Sequence, residues 1–293
     1  MPENLDEEAH LNPIKSHNLT RMPCTGIIRR PWEARCATAA NPLKMSEMNK
    51  VAQVTFCFWI MKICATTLGE TAGDLLSMTM DVGYAISSAI LLSIFLVSLI
   101  CQVRAKEYHL VLYWTVILTT STAGTTMSDF MDRSAGLGYA NGSLILISLL
   151  IAVLAAWRWS QKSLSVSHIQ TTRAELFYWA AILVSNTLGT ALGDYLADDS
   201  GLGFAGGAAL IGGLLFAVVL VTRFTRTNRV LLFWLAFVLT RPFGATFGDL
   251  LTKTPAQGGL GFGTLGSSAI LAGLLAALVI YTRMNHKRVP LPA

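Results

Sequence analysis

From residue 51 onward the chain alternates between two kinds of apolar stretch, and the alternation occurs four times. The first kind opens on an aromatic cluster containing Trp59, Trp114, Trp179 or Trp234. Fifteen residues after each tryptophan stands an aspartate: Asp74, Asp129, Asp194 and Asp249. Each aspartate closes a six-residue motif opened by glycine, namely Gly69 to Asp74, Gly124 to Asp129, Gly189 to Asp194 and Gly244 to Asp249. The second kind begins at a glycine plus aromatic pair (Gly83-Tyr84, Gly138-Tyr139, Gly203-Phe204, Gly261-Phe262) and runs to Arg104, Arg158, Arg223 or Arg283. Chance does not place one tryptophan-to-aspartate spacing four times, so the chain reads as a tandem repeat.

Each stretch holds about 20 residues, which at about 1.5 Å per residue matches a hydrocarbon core of about 30 Å. A soluble helical bundle needs a polar face on every helix, and segments such as 145–156 and 210–221 have none. The predicted fold is all-α: a polytopic membrane protein with eight transmembrane helices from four parallel two-helix repeats. The repeats are expected at 51–108, 109–173, 174–228 and 229–284, followed by a cytoplasmic tail at 285–293. Residues 1–50 are polar, aperiodic and punctuated by Pro2, Pro13, Pro23, Pro31 and Pro42. They lack the apolar core of a signal peptide and read as a disordered tail. Met45 and Met48, just before the apolar chain, are alternative starts.

Composition supports this picture. Of 293 residues 53% are hydrophobic and only 13% charged, with a mean hydropathy of +0.53, against roughly 25% charged residues in average soluble domains. That excludes an ordinary cytosolic enzyme, a disordered protein and a disulfide-rich secreted module. The net charge of +5 comes from basic residues at the ends of apolar stretches. No basic stripe interleaved with aromatics is present, so no nucleic-acid partner is expected. Lys and Arg cluster after the second stretch of each repeat (Arg104, Lys106, Arg158, Lys162, Arg173, Arg223, Arg226, Arg229, Arg283, Lys287, Arg288), whereas the intervening loops carry only Arg133 and Lys253 beside Asp81, Asp132, Asp198 and Asp199. Excess Lys and Arg mark the cytoplasmic side, which places both termini in the cytoplasm and the four tryptophans at the cytoplasmic interface as anchors.

Depth turns the motif into chemistry. Fifteen helical residues put each aspartate about 22 Å beyond its tryptophan, and Glu70 near the midplane. A carboxylate at such depth costs at least ~2.5 kcal/mol, so these five acids are expected to face the bundle interior, a water-filled cavity or each other. The Gly-x-x-x-Gly spacing of Gly69/Gly73, Gly189/Gly193 and Gly244/Gly248, with Gly124/Ser128 in the second repeat, makes a flat strip that lets helices approach closely. Thr66-Thr67, Ser121-Thr122 and Asn186-Thr187 precede the first glycine; Arg241-Pro242 replaces them in the last repeat. Pro242 is expected to kink its helix, Arg241 to pair with a carboxylate, and Lys62 to snorkel to the interface. The expected cation ligands are Glu70, Asp74, Asp129, Asp194 and Asp249 with Thr67, Thr122, Asn186 and Thr187, and Glu70 with Asp74, one turn apart, are the first choice for a metal. Oxygen-only ligands suit hard cations such as Mn²⁺, Mg²⁺, Ca²⁺ or H⁺. Cys24 and Cys36 lack the partners of a zinc site, Cys57, Cys64 and Cys101 read as packing, and His10, His17, His109, His168 and His286 fall in the tail or basic loops. No cofactor is expected.

The fourfold unit resembles a family of bacterial integral membrane proteins defined by a repeat of unknown function, built of four tandem repeats, each with two transmembrane regions and a characteristic tryptophan. Trp59, Trp114, Trp179 and Trp234 carry the likeness, over roughly residues 51 to 284. It implies this topology and a bacterial inner membrane, and no activity. Glu70-Thr71-Ala72-Gly73-Asp74 is also similar in chemistry to cation exchangers whose helices carry Glu-x-Gly-Asp. It has one residue more, and the other repeats lack the glutamate. Three functions are weighed: a secondary transporter or exporter of a hard cation, a membrane scaffold in which Gly and Asp only fix packing, and an intramembrane enzyme. The chain has no GxSxG, HExxH or P-loop, and four equivalent aspartates argue against one specialised dyad, so no enzymatic activity is expected.

Overall fold

The computed structural model describes residues 51–286 apart from 167, 168, 170 and 226, with the backbone alone of 285 and 286. The expectations for the N-terminal tail, Cys24, Cys36, His10, His17, His168, Arg226, Lys287, Arg288 and the C-terminal tail lie outside the described residues.

Among the described residues there are eight long α-helices and no strands: α1 (Phe56–Asp74), α2 (Tyr84–Arg104), α3 (Leu110–Asp129), α4 (Tyr139–Gln161), α5 (Thr172–Asp194), α6 (Gly203–Phe224), α7 (Arg229–Thr252) and α8 (Thr264–His286). Polar side chains cap three of the starts. Thr55 accepts from Phe58 N–H, Thr171 from Ala174 N–H, and Asn228 from Val230 and Leu231 N–H, which satisfies amides that have no partner within the helix.

The odd-numbered helices pack in a closed ring, α1 on α3, α3 on α5, α5 on α7 and α7 back on α1. The even-numbered helices stand outside it. Each packs on the first helix of the following repeat: α2 on α3, α4 on α5, α6 on α7, and α8 on α1. The last repeat thus closes on the first. Six helices are long and apolar enough to cross a membrane, namely α2, α4, α5, α6, α7 and α8. The eight-span expectation is therefore met only in part, because α1 and α3 fall outside that group. Both are ring helices that spend their faces on neighbours and carry Lys62, Glu70 and Asp74, or a run of threonine and serine, in place of aliphatics. The four outer helices are the reverse. Only 17–28% of their most apolar windows is buried, and Ile90, Ile94, Val97, Leu144, Ile151 and Phe216 stand exposed on them.

Small residues set the spacing of the ring. A Cβ built on Gly69 collides with the Ser121 side chain, one on Gly124 lies 2.9 Å from Asn186 Cβ and Thr187 N, one on Gly189 collides with Arg241, and one on Gly244 lies 2.7 Å from Thr66 Oγ1. Each glycine meets the residue three positions before the corresponding glycine of the next repeat. Gly73, Gly193 and Gly248 do likewise one turn on, against Thr125, Ala245 and Glu70. Gly124→Val would therefore drive a side chain into backbone. Overpacking of this kind costs about 1–3 kcal/mol, so a lowered melting temperature in detergent is expected. Gly213→Ala, on the outer face of α6 with open space around it, is expected to leave melting unchanged or raise it slightly.

The hairpins correct one expectation. After their aspartates α1, α3 and α5 continue into five-residue π turns (Leu75–Thr79, Phe130–Ser134, Tyr195–Asp199). Two left-handed residues follow: Asp81 and Gly83, Gly136 and Gly138, Gly201 and Gly203. In the fourth repeat Gly261 and Gly263 hold these positions. The partner of Tyr84, Tyr139 and Phe204 is therefore Thr264, not Phe262. The fourth loop is longer, with a 3₁₀ turn at Pro255–Gln257, and that insertion displaced the aromatic from the register. Pro242 sits inside the unbroken α7.

Candidate functional site

One face of every ring helix points inward, and its residues stack in layers along the ring interior. The layer at the aspartate end holds Asp74, Asp129, Asp194 and Asp249, all buried. The repeat makes this arrangement: the same residue at the same register on four helices related by the ring. Two cations answer them. Arg133 Nε lies 3.2 Å from Asp129 Oδ1, and its Nη2 lies 3.4 Å from Asp194 Oδ2. Lys253 Nζ lies 2.9 Å from Asp74 Oδ2 and 3.2 Å from Asp249 Oδ1. Each cation stands four residues after its own repeat's aspartate, where helical periodicity returns a side chain to the same face. In the other repeats Met78 and Asp198 occupy that position. Burial works against the Lys253 ammonium, but the Asp249 and Asp74 carboxylates outweigh it and hold its pKa above the ordinary lysine value.

One turn deeper lies the Glu70–Arg241 pair, fully enclosed. Arg241 Nη1 is 2.8 Å from Glu70 Oε2. Thr125 and Thr190 sit between them in the next two ring helices. Each hydroxyl accepts from Arg241 Nη2 and is placed to donate to Glu70 Oε2, at 3.2 Å from Thr125 and 3.3 Å from Thr190. Glu70, Thr125, Thr190 and Ala245 occupy one register, directly after the first glycine of the motif. One carboxylate oxygen each of Glu70, Asp74 and Asp249 fall within 4.8 Å of one another, a spacing at which three oxygens can share a metal ion. Hard divalent cations are bound by such oxygen sets.

Several expected residues lie elsewhere. The Thr67, Thr122 and Thr187 hydroxyls donate back to Ile63, to Leu118 and Thr119, and to Leu183 of their own helices. A hydroxyl two positions before the glycine points off the inner face, and its own helix satisfies it. Asn186 Nδ2 donates to Thr120 Oγ1 at 2.9 Å, on the α3–α5 contact rather than at an acid. Lys62 does not snorkel. It is fully buried, with Nζ 4.1 Å from the centre of the Phe237 ring. The tryptophans are no simple belt, since Trp114, Trp179 and Trp234 are buried and only Trp59 is half-exposed. They pack edge-on against Tyr113, Tyr178, Phe233 and Trp157, beside a Tyr113–Tyr178 hydroxyl pair at 2.7 Å. Cys64 is buried, but Cys101 is exposed.

Arg133, Lys253, Thr125 and Thr190 were not expected at the site. The signal was present as an i,i+4 offset from Asp129 and Asp249, and as the register shared with Glu70. The layers leave an imbalance. Five carboxylates (Glu70, Asp74, Asp129, Asp194, Asp249) share three cations (Arg133, Arg241, Lys253), so each acid has an ion pair but the formal charges of these two layers leave two negative charges in excess.

The family description "Repeat of Unknown Function (DUF347)" matches the chain four times, at residues 57–108, 112–163, 177–228 and 232–287. No curated protein and no solved structure matches it.

Proposed function

The chain belongs to the family of this Repeat of Unknown Function, whose description carries no activity, and from the chemistry of the ring interior we propose that it is a multi-pass membrane transporter exchanging a hard divalent cation for protons. In this reading all eight helices span a bacterial inner membrane. The tryptophan end and both termini are cytoplasmic, because the basic residues cluster there. The ring helices α1 and α3 cross although they are less apolar, since their polar faces meet other helices rather than lipid. The lipid bilayer and the cation are the only partners proposed, and no enzymatic activity is proposed.

The observation that carries the reading is the charge imbalance. Excess negative charge is costly to bury, and two negative charges in excess are balanced either by two protons or by one divalent cation. Glu70, Asp74 and Asp249 supply the binding point, with Asp129 and Asp194 completing the field. Exchange of one occupant for the other is then electrically neutral within the ring. Lys253 is a tethered competitor for the same oxygens: the metal displaces the ammonium from Asp74 and Asp249, and the tether keeps its charge beside the ring.

A second reading, a non-transporting scaffold, draws on the fact that Arg133 and Lys253 already tie the aspartates together across repeats. Flux separates the two. In liposomes carrying the purified chain, Mn²⁺ uptake should be accompanied by proton movement the other way. Asp74→Asn with Asp249→Asn should cut it at least tenfold while the protein remains folded. Undiminished exchange in that double variant would remove the acids from the mechanism, and no exchange in the wild type would favour the scaffold.

A further inference from the structure

Every carboxylate of the two layers has a cation within ion-pair distance, whereas Lys62 has no counter-charge there. Among the described residues its Nζ has no hydrogen-bond partner and no carboxylate within ion-pair distance, although the residue is fully buried. It lies eight residues before Glu70 on α1, about 12 Å along the helix toward the tryptophan end. The corresponding residues of the other repeats are Ile117, Ile182 and Phe237, all completely buried. The ring is therefore apolar at this level except for one ammonium, set over the face of Phe237. An aromatic face favours a cation there but supplies no counter-charge. Between this level and Glu70 come Thr120, Ser185 and Thr240, buried hydroxyls at one register, and Ser185 Oγ also lacks a partner. The neighbouring cation, Arg241, has its charge met by Glu70.

An isoleucine fits this position in two of the four repeats without any buried charge. An ion pair or buried charge replaced by a well-packed hydrophobic residue is often neutral or stabilising, so packing does not call for lysine. Ionisable groups inside a membrane are by default functional. The lysine also lies between the Glu70–Asp74–Asp249 oxygens and the tryptophan end of α1. Where Lys62 carries its proton, that charge acts through a low-dielectric interior, where repulsion is strongest. Resting on the transporter reading above, we infer that Lys62 is a specificity-determining residue that holds the resting ring closed to free cations, so that metal moves only in exchange for protons. Crossing then requires a rearrangement of the ring that moves the Lys62 side chain aside.

The test is slippage. Liposomes carrying the full chain are loaded with Mn²⁺ at clamped voltage and without a pH gradient, and Mn²⁺ efflux and internal pH are followed together. Lys62→Met and Lys62→Gln should leak Mn²⁺ at least tenfold faster than wild type, with the number of protons moved per Mn²⁺ falling toward zero. Lys62→Arg, which keeps the charge, should retain the wild-type ratio. Lys62→Met should also melt no lower than wild type in detergent, which separates a barrier from a structural role. Wild-type proton-to-metal ratios in both Lys62→Met and Lys62→Gln, or a leak in Lys62→Arg equal to that of Lys62→Met, would overturn the barrier alone. Absence of any exchange in the wild type would overturn both the barrier and the transporter reading.

Discussion

Arg241→Met is expected to destabilise the protein by about 3–5 kcal/mol, the cost of stranding one member of a buried ion pair. Glu70 would keep its burial and lose the guanidinium 2.8 Å away. Thr125 and Thr190 would lose the donor that both accept from. Against a total stability of typically 5–15 kcal/mol, that loss should appear as a large drop in detergent melting temperature or as failure to purify. Glu70→Gln in the same chain should restore much of it, because the stranded charge is then gone and an amide can still accept from the threonines. A double-mutant cycle over the pair should give a coupling of at least ~2 kcal/mol, near the upper part of the range for residues in direct contact. Additive losses would mean that the pair does not hold the ring together.

Lys253→Met should raise the affinity for Mn²⁺ at least tenfold, equivalent to about 1.4 kcal/mol. The ammonium lies 2.9 Å from Asp74 Oδ2 and 3.2 Å from Asp249 Oδ1, so an incoming metal must displace it. Without it the same oxygens are free and the local field is more negative. Lys253→Arg keeps the competing charge and should leave affinity within a factor of about three, well under the tenfold that 1.4 kcal/mol represents. Titration by calorimetry at low salt measures both. The pH dependence has a definite sign. The neighbouring carboxylates raise the Lys253 pKa above the ordinary lysine value. Its favourable interaction is therefore complete below the ordinary lysine pKa and is lost only as pH rises through the higher folded value. Competition from Lys253 is then constant through the neutral range, and any gain in Mn²⁺ affinity between pH 6 and 8 comes from other groups. Equal affinity in Lys253→Met and wild type would place the metal elsewhere.

Much of this architecture was legible in the chain. The tryptophan-to-aspartate spacing set the repeat, the apolar lengths set the helices, and the cost of an acid in hydrocarbon directed Glu70 and the aspartates inward. Periodicity names the face of a helix but not the neighbour that receives it. The packing of α2 on α3 rather than on α1, and the closure of α8 on α1, were therefore out of reach. The same limit hid Thr125 and Thr190. Their helices were read one at a time, and only alignment of the residue after each motif glycine places them with Glu70. Arg133 and Lys253 fall beyond the apolar stretches and so read as loop charges. Across the π turn and the end of α7 they fold back onto the carboxylates instead. The Thr67, Thr122 and Thr187 hydroxyls are held locally, because a threonine in a helix has a carbonyl three or four residues back within reach. Lys62 and the tryptophans were placed at an interface by analogy with single helices in lipid, whereas a closed ring of aromatics buries them.

The imbalance of five carboxylates against three cations is tested most directly by counting protons as metal binds. Calorimetric titration of the purified full chain with Mn²⁺, repeated in two buffers of different ionisation enthalpy, gives the protons released per metal bound. The account predicts a value near two in the wild type and near one in Asp74→Asn. Mn²⁺ binding without proton release, or no binding at the ring acids, would contradict it.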